Sequence, residues 1–207
     1  MQESCSMSKV IAKILVAGLL MVLTAAAGRA GNTPTPFKEN EKYGYKDAHG
    51  KVIIAPVFII ANEFSKEGIA SVLDQDGWAF INMTGDIIVR PFVIDNGPDY
   101  FLEGVARFTL NGKFGFFNIM GEIVIEPQFD FASSFHESLA AFCHGCSQKS
   151  QGEHHIIQGG KWGYIDHTGN IVIAPIFESA GDFSNEKAKV VLRGQSAWID
   201  HRGRFMN

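Results

Sequence analysis

An all-β fold, built as an array of β-hairpin or three-stranded repeats, is the class this chain predicts, and three observations predict it. First, one short phrase returns five times, at 42–50, 77–85, 113–121, 161–169 and 195–203: an aromatic-centred segment that ends in Asp or Asn, with Gly three residues later. Second, in four copies a Pro lies six residues beyond that Gly, at Pro56, Pro91, Pro127 and Pro175. Third, aromatics such as Tyr43 and Tyr45, Phe114 and Phe116, or Trp162 and Tyr164 alternate with Gly at a period of two, as in a strand with one packed face. Recurrence at fixed offsets is the signature of a repeat architecture.

The N-terminus precedes this array. Lys9 and Lys13 lead into an apolar run over 14–23 and then the small residues Ala25, Ala26 and Ala27, the layout of a secretory signal peptide, with cleavage after Ala27 or Ala30. A membrane span needs roughly 20 apolar residues, and Gly28 and Arg29 interrupt this run early. Cys5 lies upstream of the run, not at its exit where a lipid attachment would fall, and Met7 offers an alternative start. Residues 1–30 are therefore expected to leave, and the mature chain to be periplasmic or extracellular with no membrane span. Their removal takes away Lys9, Lys13, Arg29 and Glu3, leaving 15 basic and 21 acidic residues. That excess of acid, with basic residues scattered singly, argues against nucleic acid as a partner. Residues 31–41, with Pro34 and Pro36, read as an extended leader outside the fold.

The array starts at residue 42, and its units span 42–76, 77–112, 113–160, 161–194 and a partial cap at 195–207. In the first strand of a unit, Tyr43 and Tyr45, Phe114 and Phe116, or Trp162 and Tyr164 alternate with Gly44, Gly115 and Gly163; Ala79 and Ala197 replace the Gly in copies two and five. This predicts one packed aromatic face and a bare opposite face, past which a backbone or ring approaches closely. A tight turn follows: Asp47 to Gly50, Asn82 to Gly85, Asn118 to Gly121, Asp166 to Gly169, Asp200 to Gly203. Asp or Asn accepts a backbone hydrogen bond two residues on, and Gly supplies a left-handed conformation. Asn stands in two copies where a catalytic base would need a carboxylate, so the row reads as structural.

The second strand is β-branched (Val52-Ile-Ile, Ile87-Ile-Val, Ile123-Val-Ile, Ile171-Val-Ile). The Pro cannot donate to a ladder and is expected to end it. Phe58, Phe129 and Phe177 lie two residues past the Pro and Phe64, Phe135 and Phe183 eight past it, all read as core. A third strand closes each unit near Ala70, Ala106, Ala140 and Ala188.

At Lys161 to Phe177 the chain reads Lys-Trp-Gly-Tyr-Ile-Asp-x-x-Gly-x-Ile-Val-Ile-x-Pro-x-Phe, and at Phe64 to Ala70 it reads Phe-x-x-x-Gly-x-Ala. These phrases closely resemble the bacterial WG repeat, also called the KWG repeat, over residues 42–205. Copies one and three carry Tyr43 and Phe114 for the Trp. Copy two has Gly77 and Ala79 for the Lys and Gly, and a lengthened segment over 92–100. Copy five stops after its hairpin, as a terminal cap would. The resemblance implies an all-β array of hairpin units with a role in binding or surface display, and it transfers no catalytic residue. An open solenoid or spiral suits the incomplete fifth copy; a propeller-like ring is the alternative.

Successive turn glycines are 35, 36, 48 and 34 residues apart. The excess in the third interval is an insertion between Phe142 and Lys161, holding Cys143, His144, Cys146, His154 and His155, and it falls in the hairpin between one unit's third strand and the next unit's first. Insertions in repeat proteins map to loops, often on the binding face. Three chemistries fit it: a Cys143–Cys146 disulfide stapling the hairpin in an oxidising compartment; a zinc or other transition-metal site formed by both cysteines with His144, His154 or His155; or a redox-active dithiol. His49, His167 and His201 sit at exposed turn positions, and His136 at a surface-like site. No Gly-x-Ser-x-Gly, His-Glu-x-x-His or phosphate loop occurs. The functional expectation is a non-catalytic module without cofactor, binding a protein or cell-envelope ligand. The alternatives are metal or thiol chemistry at the insertion, or cell-wall carbohydrate binding by exposed aromatics, which burial of Trp162 and Trp198 would weaken.

Overall fold

The computed structural model describes residues 33–151 and 154–206. The signal-peptide reading over 1–30 lies outside them. The described chain is all strand and turn, in five antiparallel sheets that follow one another in chain order. Sheet 1 holds β1 (Thr35–Glu39), β2 (Lys42–Lys46) and β3 (Val52–Phe58). Sheet 2 holds β4 (Ile60–Ala61), β5 (Ala70–Asp74), β6 (Gly77–Ile81) and β7 (Ile87–Val89), and a small ribbon, β8 (Val93–Ile94) with β9 (Gly97–Pro98), follows it. Sheet 3 holds β10 (Val105–Leu110), β11 (Lys113–Asn118) and β12 (Ile123–Phe129). Sheet 4 comprises β13 (Phe131–Ala132), β14 (Ala140–Gln151), β15 (His154–Ile165) and β16 (Ile171–Phe177). Sheet 5 comprises β17 (Ser179–Ala180), β18 (Ala188–Leu192), β19 (Gln195–Ile199) and β20 (Phe205–Met206).

Three expectations are corrected here. The leader expected over 31–41 is not outside the fold where it is described, from residue 33 on: Thr35–Glu39 pairs with Lys42–Lys46 along its whole length. It fills in sheet 1 the place that the third strand of a preceding unit fills elsewhere, because each third strand joins the hairpin of the next unit (β5 on β6, β10 on β11, β18 on β19). Sheets are therefore out of phase with the sequence units. Nor does the Pro end the second strand in copies one, three and four. β3, β12 and β16 run on to Phe58, Phe129 and Phe177, which pair with Tyr43, Phe114 and Trp162 across a register shift. The strand absorbs Pro by bulging, a device suited to an edge.

The bulge explains the glycines. A Cβ on Gly163 would lie 2.8 Å from Pro175 N and closer still to Ile173 O, and one on Gly44 would lie 2.7 Å from Pro56 N. In copy two the second strand stops at Val89, so nothing folds back and Ala79 is accommodated. Copy five likewise pairs only Phe205 and Met206, beside Ala197.

The third correction concerns the face opposite the aromatics, which is not bare. In copies two to four the first strand sends its aromatic into one core cluster and the next residue into the cluster before it, while copy one supplies only the aromatic, Tyr45, and copy five only the next residue, Ile199. Tyr45 and Ile81 share the first cluster, Phe80 and Phe117 the second, Phe116 and Ile165 the third, Tyr164 and Ile199 the fourth. The clusters are thus the layers between successive sheets, and among the described residues none joins sheet 1 to sheet 5. Turn glycines tighten the stack: a Cβ on Gly85, Gly169 or Gly203 would fall 3.1 Å from Ile54, Ile125 or Ile173 of the preceding sheet, whereas Gly50, in the first described sheet, meets nothing within 4 Å among the described residues.

Candidate functional site

The five turn residues are placed alike. Asp47 Oδ1 accepts from the backbone N–H groups of His49 and Lys51, each at 2.9 Å. Asn82, Asn118, Asp166 and Asp200 make the same pair of bonds two and four residues on. One accepting oxygen is all the turn uses, so amide and acid interchange. At Asp200 the side chain of Arg204, together with two backbone N–H groups, lowers the carboxyl to about 2.

The insertion is not a loop. β14 and β15 stay paired from Ala140 opposite Ile165 to Gln151 opposite His154. β13 covers β14 only at Phe142 and Cys143, and β16 pairs with β15 only at Trp162, Tyr164 and Ile165. Beyond those points the two strands are a two-stranded ribbon whose outer edges are unpaired among the described residues. At its root the Cys143 and Cys146 sulfurs lie at bonding distance, with Cα atoms 6.1 Å apart. Cys143 is buried in the last core cluster and Cys146 packs at its rim. Asp130 holds the bend between them, accepting from Gly145 N–H at 2.6 Å and pairing with Lys113. The Lys113 ammonium, foremost, with the Gly145 N–H and the nearby His144, holds the Asp130 carboxyl below its usual value despite partial burial.

His154 and His155 face Gln151 and Ser150 near the ribbon tip. That is five and four residues beyond Cys146 along β14, or about 13–17 Å at the strand rise. Their side chains lie outside the described residues. His144 is exposed next to the pair. Among the described residues no three His, Cys, Asp or Glu side chains are gathered as a metal set.

Reading the turn histidines one at a time missed a device that joins sheets. His167 stacks on Phe135 with ring centroids 4.0 Å apart and shares a 2.9 Å hydrogen bond with Glu103, which also accepts from Ser138 N–H at 3.0 Å. His201 stacks on Phe183 at 4.4 Å and meets Glu137 at 3.0 Å, and Glu137 accepts from Glu186 N–H. Burial pushes the Glu103 carboxyl up, but the bonds from His167 and the backbone outweigh it and leave it below its ordinary value. Glu103 and Glu137 both hold positive φ, 50° and 52°, a strained geometry for a non-glycine residue. The signal in the sequence was an equal offset: Glu103 to His167 and Glu137 to His201 are both 64 residues. In copies two and three the same turn position carries Met83 and Ile119, so the seat there is apolar. The buried pair Asp99–Arg107, with contacts at 2.8 and 2.9 Å, was also missed; Arg107 further donates to Ala132 O and lies over the Phe92 ring.

Of the tryptophans, Trp162 is 8% exposed and Trp198 is 45% exposed; Trp78 is partly buried and donates to Asn96 O at 2.8 Å. No helix among the described residues is long and apolar enough to cross a membrane.

The sequence profile of the WG containing repeat matches the chain four times, over residues 43–77, 78–114, 114–145 and 162–195. No curated protein matches it. The profile passes over the ribbon, which begins where the third match ends.

Proposed function

The chain belongs to the family of WG-repeat proteins, and from that membership we propose that it is an exported, non-catalytic binding or interaction module acting in the periplasm or at the cell surface, with the β14–β15 ribbon as its contact surface. What carries the reading is the ribbon's construction: a rigid root, tied by Cys143, Cys146 and Asp130, projects two paired strands past the sheet that bears them. Unpaired strand edges are templates for another chain. The export half of the reading rests on the signal-peptide pattern of residues 1–30.

The test replaces residues 147–158 with Asn-Gly, closing the hairpin on the Cys146–Gly159 pair at the ribbon root. The shortened chain is expected to unfold within about 1 kcal/mol of the parent, since little of the excised segment reaches the core, and to lose the cross-linked envelope partners that the parent captures in its own cells. Unchanged cross-linking would overturn the reading. A thiol-redox role is favoured by one observation, the pairing of a buried with a partly exposed sulfur at the ribbon root. Cys143→Ser with Cys146→Ser separates the two: modest loss of stability with partner capture kept supports the binding module, whereas loss of capture supports the thiol site. Carbohydrate binding would fall to Trp198, and Trp198→Ala leaving retention on cell-wall sacculi unchanged would exclude it.

A further inference from the structure

A groove of about 630 Å³ runs between sheet 1 and sheet 2, within the range of roughly 300–1,000 Å³ typical of ligand sites. One wall is β3, the outer strand of its sheet. Val52 and Ile54 pair with β2 across a register shift at Ile53, and the opposite edge of β3 has no partner strand among the described residues, which leaves backbone groups there to accept one. Ile53, Val57 and Ile87 line it and are 40%, 56% and 48% exposed. Its rim is acidic. Asp74 is held by Arg90 at 2.8 Å, and the same guanidinium lies 3.8 Å from the more exposed Asp76; one Arg90 thus serves two carboxylates, Asp86 adds a third, and among the described residues Lys42 is the sole cation in the lining.

The fold does not require Asp76 or Asp86. At the equivalent positions of sheet 5, Gly194 stands for Asp76 and Arg204 for Asp86, and Arg202 replaces the intervening Thr84, beside a second strand, β16, of nearly the same sequence as β3. The turns form equally well with either charge: Asp200 accepts from Arg202 and Arg204 N–H just as Asn82 accepts from Thr84 and Asp86 N–H.

We propose that this groove binds an extended, basic polypeptide segment, in which Lys or Arg alternates with β-branched residues, as an added strand on β3. The backbone of the segment pairs with the free side of β3, its aliphatic side chains cover Ile53, Val57 and Ile87, and its cations meet Asp76 and Asp86. This goes beyond the ribbon reading, being a second surface three sheets away along the chain.

The experiment uses the full chain and a labelled hexapeptide of alternating Lys and Val, read by fluorescence anisotropy. Three companions are measured: a Glu–Val peptide, a Lys–Val peptide N-methylated at alternate residues, and the Asp76→Lys, Asp86→Lys protein. The Lys–Val peptide binds, added salt weakens it, and each companion binds about tenfold more weakly or worse. The N-methylated arm tests strand addition on the unaltered protein, so it stands even if the double variant fails to fold. Absence of binding, equal binding of the three peptides, or unchanged binding by the variant overturns the proposal. So does sedimentation showing that the parent self-associates through this groove and that the charge reversal disperses it, since the occupant would then be a second copy. The chain shortened at 147–158 binds the peptide unchanged, so failure of the ribbon and failure of the groove are read independently.

Discussion

Gly163 lies under the bulged segment that carries Ile173 and Pro175, and the space for its Cβ is already occupied by backbone. Gly163→Ala is expected to cost about 1–3 kcal/mol, the range of overpacking a filled site. Ala197→Gly in copy five, where the second strand pairs only at Phe205 and Met206 and the Ala is partly buried, should cost roughly the 0.5–1 kcal/mol of added chain entropy. Urea titration of both variants checks the contrast, and equal losses would refute the explanation. The Gly was legible in the sequence as a demand for close approach, whereas the object approaching it was not, because the second strand bulges only after it has paired. The turn acids belong to the same scale. Asp200, lowered from 3.8 to about 2 by Arg204 and backbone donors, binds its proton less readily when folded than when unfolded. Its contribution to stability is therefore present above pH 3.8 and lost as pH falls towards 2. Asp200→Asn keeps the backbone bonds and should flatten the acid limb of the stability curve in that window; an unchanged limb would rule out this account.

Among the elements, the lengthened segment after copy two is held by its ion pair. Asp99 and Arg107 are 3% and 6% exposed, and the guanidinium ties the segment to β10, where Arg107 sits, and to Ala132 of sheet 4. Arg107→Ala leaves a buried carboxylate alone and should cost about 3–5 kcal/mol, while Arg107→Met combined with Asp99→Leu should recover most of it; thermal unfolding of the single and double variants decides. Sequence reading found the extra length between Phe92 and Tyr100 but not this pair, since the partners are eight residues apart with no periodic mark. The ribbon divides in the same way. Its place between Phe142 and Lys161 was legible from the longer interval between glycines, yet its nature as paired strands was not, because polar residues such as Ser147, Gln148 and Gln158 carry no core-facing alternation.

Across the whole molecule, each sheet is stabilised by the clusters on either side of it, so the end sheets have one and the inner sheets two. Stability should then grade along the array, as in a nearest-neighbour chain of repeats. Amide exchange measured by mass spectrometry is expected to be slowest in β11, where Phe114, Phe116 and Phe117 are all buried between two clusters, and fastest in β1 and β20; uniform protection would mean that the array unfolds as one unit. The sequence by itself determined the repeat, the hairpin turns, the composition of the core and the site of the insertion, because these depend on neighbours within about ten residues and recur often enough to be read. Only the tertiary structure decided that each third strand belongs to the next sheet, that residues 35–39 complete the first, that His167 and His201 reach carboxylates 64 residues back, and that one inter-sheet groove is acidic. Those pairings bring together residues of different units, and a repeated sequence offers every unit the same local choices. Which unit meets which is settled by the stacking of one buried face on the next.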